Sequence, residues 1–132
     1  MKLTAHSKNH LYGSFVHYSV DKEFADPIYN YLVYGFNPGG FFYALLANDF
    51  MTAISRSHPM NTVESLKRLV VWIINVIPKD VCWGSYEAVD NWLKMSAEDR
   101  RTILEQHLLV YSERDEIMMV LKNEPTVEPL FF

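Results

Sequence analysis

The chain has 132 residues, enough for one domain with a real hydrophobic core and too few to suggest two. Its 49% hydrophobic and 21% charged residues are ordinary for a globular protein, whereas 14% aromatic residues, with eight Tyr and eight Phe, form a surplus of the kind that collects at interfaces. A formal charge of -4 without any long Lys/Arg run argues against a protein that coats extended nucleic acid, since phosphate binding needs a basic footprint.

The lone cysteine, Cys82, rules out an internal disulfide framework and fits a reducing compartment, where a small buried apolar role is the usual one. Met1 to His10 is polar and lacks the apolar stretch of an export signal. The longest apolar run, Leu69 to Ile77, is interrupted by Asn75 and ended by Pro78, far short of the ~20 residues that span a bilayer. A cytoplasmic protein without membrane contact is the expectation.

In chain order, Leu11 to Val20 places Tyr12, Val16, Tyr18 and Val20 on one parity and Gly13, His17 and Ser19 on the other, a period-two pattern that predicts a strand. Its partner would be the C-terminal Thr126 to Phe132 or the same strand of a second subunit. Asp26-Pro27 reads as a helix start, and Ile28 to Tyr34 as a short aromatic helix stopped by Gly35.

The hub of the chain is predicted to follow. Pro38 favours an extended Asn37, and Gly39 and Gly40 permit angles or close approaches that a Cβ forbids, so a helix should begin at about Gly40. Its apolar residues from Phe41 to Ile54 cover more of the circumference than a surface helix needs, which predicts a central helix. Asn48, Thr52 and Ser55 form its polar strip, with Asp49 and Arg56 beside it. Asn48 and Asp49, polar within an apolar helix, must bond a neighbouring helix end or loop, or a ligand. The Gly39-Gly40 corner serves either tight packing or, through free N–H groups, an anion.

Ser57-His58-Pro59 breaks the chain, and Asn61-Thr62-Val63-Glu64 caps a helix running from about Thr62 to Val76. Val63, Leu66, Leu69, Val70, Ile73, Ile74 and Ile77 are its expected buried face, with Arg68 and Trp72 opposite. That placement makes Trp72 either an indole covered by another helix or a stacking surface. Pro78 ends the helix; Trp83-Gly84-Ser85 leads into Tyr86 to Lys94 with Ser85 as cap. Ser96 starts a helix to about Tyr111, and Ser112 to Lys122 forms a last one carrying Ile117, Met118, Val120 and Leu121.

The expected fold is therefore a mainly α single domain, residues 1–132: a compact bundle of five to six short helices with a candidate N-terminal strand. Residues 27–93 form its central unit and residues 97–122 its C-terminal helices.

Pro38, Gly40, Phe41, Ala44, Leu46, Asn48, Asp49, Asn61, Pro78, Trp83, Gly84, Ser85 and Trp92 together make a pattern that resembles short proteins of phages and prophages. The likeness spans about residues 27 to 93. It implies a phage or mobile-element setting rather than a chemistry, and the N-terminal segment and the two C-terminal helices lie outside it.

Few parts of an enzyme are present. His6 and His10 stand at i, i+4 without a third ligand nearby, and the chain carries no His-Glu-x-x-His, paired-Cys motif, Gly-x-Ser-x-Gly elbow or Walker-type loop. Asp49, Ser55 and His58 can be drawn as a triad, but such trios arise by chance. The expectation is a non-enzymatic phage accessory protein, homo-oligomeric and without cofactor or metal. It would counteract host defence by sequestering a small polar ligand such as a nucleotide-type signal. Gly39, Gly40, Asn48, Asp49, Arg56, Arg68, Trp72 and Trp83 are the expected pocket. The alternatives are an inhibitor that blocks a host defence protein, through an acidic aromatic surface or the tail Leu130-Phe131-Phe132, and a small enzyme of unknown reaction.

Overall fold

Helix α2, Lys22–Tyr34, is the centre of the molecule, buried from Phe24 to Tyr34 at every position except Pro27 in a computed structural model that describes residues 1–122 and the backbone of 126–127. From Phe24 on its side chains are apolar on every side but for Asp26 and Asn30, and the other elements enclose it. The helix starts five residues before the expected Pro27. Asp21 stands at its N-cap, and Pro27 sits inside, where its ring keeps a helical φ and forfeits one backbone bond that enclosure outweighs. Its C-terminus is a left-handed Gly35 at φ 65°, with Gly35 N–H bonding Tyr31 O and Phe36 N–H bonding Asn30 O. A Cβ on Gly35 would lie 2.8 Å from the Arg100 guanidinium, so glycine is required there twice over.

The expected strand at Leu11 to Val20 is instead part of helix α1, Ala5–His17. Thr4 caps it, Oγ1 accepting from Ser7 N–H at 3.1 Å, and Ser7, Leu11 and Phe15 recur every four residues on its buried face. The parity pattern misled because Val16, one of its apolar members, is 76% exposed. The strand lies earlier: β1, Leu3–Thr4, pairs antiparallel with β2, Thr126–Val127, in register Leu3 to Val127. The C-terminal segment is thus the strand's partner, as the sequence suggested, but for different residues.

The hub is two helices. α3, Gly40–Leu46, ends at Ala47; Asn48 turns the chain at φ 63°, and Asp49 caps α4, Phe50–Arg56, by accepting from Thr52 N–H at 3.3 Å. Asn tolerates the left-handed region and Asp suits an N-cap, so the polar pair breaks the helix instead of sitting inside it. Ala44, Leu45 and Leu46 are buried, whereas in α4 only Ala53 is.

Helix α5, Val63–Val76, is capped by Thr62, one residue later than the expected Asn61, and is turned about its axis. Ser65, Leu66, Leu69, Trp72 and Ile73 face inward; Val63 and Ile74 face out. Trp72 decides the rotation. Its indole area is the largest on the helix, and its N–H is satisfied by Ser14 Oγ of α1 at 3.1 Å.

The Trp83-Gly84-Ser85 turn docks on the end of α3 through Gly84 N–H to Leu46 O at 2.7 Å, and Ser85 caps α6, Tyr86–Lys94. Trp92 of α6 donates to Tyr31 O at 3.0 Å, and Tyr31 donates to Cys82 O at 2.8 Å, stitching α6 and the turn to α2. Helix α7, Ala97–Gln106, stops short of the expected Tyr111; its Arg100 reaches Val33 O and Met95 O from inside. In α8, Glu113–Leu121, the buried residue is Glu116, which bonds Arg101 and accepts from both the N–H and Oγ1 of Thr4 at 3.1 Å. Ile117, Met118, Val120 and Leu121 are 44% to 73% exposed. The described residues hold eight helices, two more than the upper expectation, from the added α1 and the split hub. Among them no helix is long and apolar enough to cross a membrane.

Candidate functional site

A cleft of about 670 Å³ opens where the N-terminus of α2, helix α3, the end of α4 and the start of α5 converge. That volume suits a small organic ligand. Its apolar part is a cluster of three rings: Phe24 lies 6.1 Å from Phe41 and 5.8 Å from Phe42, and the last two are 4.9 Å apart in an edge-on arrangement. Its polar part comes from Asp21, Glu23, Arg56, His58, Asn61, Thr62, Ser65 and Arg68.

Each polar group has a traceable position. Arg68 is aimed by Nε to Ser19 O at 2.9 Å and a 3.5 Å contact with Asp21. Asp21 also accepts from Ser65 Oγ, so this carboxylate is largely committed to α5. Arg56 makes a long bond, 3.4 Å, to Gly40 O. Thr62 spends its Oγ1 on Ser65 N–H. His58 Nδ1 accepts from Met60 N–H at 3.0 Å, which leaves Nε2 as its remaining ring nitrogen. The amino end of α5 faces this cleft, adding its positive dipole end to the two guanidinium groups.

Of the eight expected pocket residues the structure brings Arg56 and Arg68 to this cleft with Gly40 against Arg56, and Gly39 precedes them at φ 91° with its N–H on Asn37 Oδ1. Asn48 and Trp83 line a separate small groove of about 80 Å³ with Phe50 and Ile74. Trp83 donates to Ile77 O at 3.0 Å and lies under the Lys79 ammonium. Asp49 caps α4 and accepts from Tyr86 OH at 2.6 Å, and those bonds, Tyr86 first, hold its carboxyl below the usual range. Trp72 is wholly buried and cannot touch a solvent-borne ligand.

Sequence reasoning missed Asp21, Glu23 and Phe24 because it began α2 too late, and missed His58 and Thr62 because they served only as a break and a cap. Asp49, Ser55 and His58 do not assemble into a triad: Ser55 donates to Thr52 O, His58 accepts from Met60 N–H, and Asp49 accepts from Tyr86 OH and Thr52 N–H. His6 and His10 both pack on Tyr111, and His10 Nε2 lies 2.8 Å from Leu108 O. Burial pushes the Cys82 thiol up, away from a reactive thiolate. The tail Leu130-Phe131-Phe132 lies outside the described residues. Comparison with protein-family models, curated proteins and solved structures returns no match.

Proposed function

We propose that the protein is a binding module that sequesters a small anionic, ring-bearing ligand of nucleotide type in the Arg56–Arg68 cleft. The observation that carries this reading is the convergence, in one open cleft, of two guanidinium groups and a three-phenylalanine floor. Guanidinium forks suit phosphate oxygens, and phenylalanine faces suit a planar base. Glu23 on the same rim gives it a second preference, for ligands that also offer hydrogen-bond donors such as ribose hydroxyls or exocyclic amines. Together with the resemblance to phage proteins, this makes removal of a host nucleotide signal the biological role we propose.

Thermal denaturation against mono-, di- and cyclic nucleotides, with nucleosides and inorganic phosphate as controls, tests the reading. A ligand at 100 times its Kd should add about 2.7 kcal/mol of stability. Arg56→Ala should abolish that gain while leaving the unliganded protein folded, since Arg56 is exposed and makes one long bond. A panel without any shift, or a shift that survives Arg56→Ala, overturns the assignment. Recovery of a chemically altered nucleotide by mass spectrometry would instead make the protein an enzyme.

A further inference from the structure

The polar side chains of the Arg56–Arg68 cleft divide into those the fold has already used and those it has not. Asp21 accepts from Ser65 Oγ and pairs with Arg68, Thr62 Oγ1 accepts from Ser65 N–H, and Arg68 Nε donates to Ser19 O. By contrast, among the described residues no hydrogen bond or ion pair engages the carboxylate of Glu23 or the side-chain amide of Asn61, and both line the cleft. Glu23 stands in the first turn of α2, one position before Phe24 of the ring cluster. Within that cluster Phe24 and Phe42 are buried and Phe41 is half-buried, so Phe41 presents the face on which a flat base can stack. The cleft is thus polarised: guanidinium groups answer to phosphate, and an unspent carboxylate beside the rings answers to donors on the base.

We propose that the cleft selects guanine nucleotides, with Glu23 accepting from the base N1–H and N2 amine and Asn61 donating to O6. The inference rests on the reading of the cleft as a nucleotide site and narrows it to one base. An ionised carboxylate accepts two parallel N–H bonds. Of the common bases, guanine sets two donors side by side on one edge, with an acceptor next to them that suits an amide N–H. Adenine turns a lone pair to the position of the guanine N1–H, where it repels the carboxylate; uracil offers one donor between two acceptors, and cytosine one amine. A ribose diol is the competing partner for such a carboxylate. The sugar, however, joins base to phosphate, and Glu23 goes with the rings: Arg68 pairs with Asp21 and Arg56 bonds Gly40 O, so neither guanidinium engages Glu23.

Isothermal titration of the full chain with the 5′-diphosphates of guanosine, inosine, adenosine and 2′-deoxyguanosine reads the preference. The guanosine form should bind at least about 10-fold tighter than the adenosine form, the discrimination that one bidentate pair supplies. The inosine form keeps N1–H and lacks the N2 amine, so it should fall between them, and the deoxyguanosine form should match guanosine. Glu23→Gln, which exchanges an acceptor for a donor at constant size, should bring the guanosine form down towards the adenosine form; circular dichroism checks that the variant folds. Equal affinity for the guanosine and adenosine forms overturns guanine selection and leaves the nucleotide reading of the cleft standing. So does a loss on removing the 2′-hydroxyl as large as that on changing the base, or a guanine preference that a folded Glu23→Gln retains. Silence from all four ligands overturns guanine selection together with the nucleotide reading.

Discussion

Helices α2 and α4 are both rich in large apolar side chains, yet α2 is buried at all but three of its 13 positions whereas in α4 only Ala53 is buried. The difference lies in their surroundings. α2 receives Trp92 from α6 and Arg100 from α7, gives Tyr31 to the Cys82 turn, and holds Tyr12 of α1 through Asp26 at 2.5 Å. α4 leans on α3 and otherwise faces solvent. Apolar composition states what a helix would gain by burial; the number of elements that can reach it decides whether it is buried.

The comparison breaks first at Tyr31 and Phe50. Tyr31→Ala removes a fully buried ring and leaves Cys82 O without its donor, so chemical denaturation should show a loss of about 3–5 kcal/mol. Phe50→Ala, on a half-exposed ring, should cost less than about 1 kcal/mol. Equal losses would mean that α4 is enclosed in solution.

Glu116 extends the contrast to charge. Its carboxylate is inside, holding Arg101 and the start of α1, and truncation to Ala leaves Arg101 with Glu105 alone and Thr4 without its acceptor. A loss of about 3 kcal/mol is expected, with Glu116→Gln milder because the amide oxygen still accepts from Thr4. A variant as stable as wild type would show that this carboxylate does not hold β1 against α8.

Asp49 supplies the smallest effect. Its folded pKa is depressed, chiefly by Tyr86 OH, so its contribution is fully present about a unit above the unfolded Asp value of about 3.9 and drains away as pH falls through the lower folded value. Asp49→Asn keeps an oxygen for the α4 cap and removes the charge. Melting curves of the variant should therefore fall less steeply than wild type over the acid limb; an unchanged slope would show that Asp49 titrates alike in both states.

What was legible in the sequence was local chemistry. Ser85 and Ser96 announced α6 and α7, and Asn61-Thr62 announced α5 to within a residue, because a cap is written in a few adjacent residues. The strand that turned out to be α1, and the rotation of α5, depended on Trp72 finding Ser14 across 58 positions, which no local window contains. Asn48-Asp49 was rightly singled out as unusual, but left-handed tolerance and capping explain the pair without a ligand. At the cleft, Arg56 and Arg68 were visible as cations near aromatics. Asp21 and Phe24 were hidden because Pro27 looked like a beginning and is an interior residue.

The bonds from Thr4 to Glu116 cross 112 positions of sequence. During synthesis Leu3 and Thr4 emerge well before Glu116, the partner of Thr4. The bonds between Thr4 and Glu116 therefore form only when a loop of 112 positions closes. Until α8 has been made, the start of α1 lacks the acceptor that anchors it, which leaves that stretch open to chaperones and proteases.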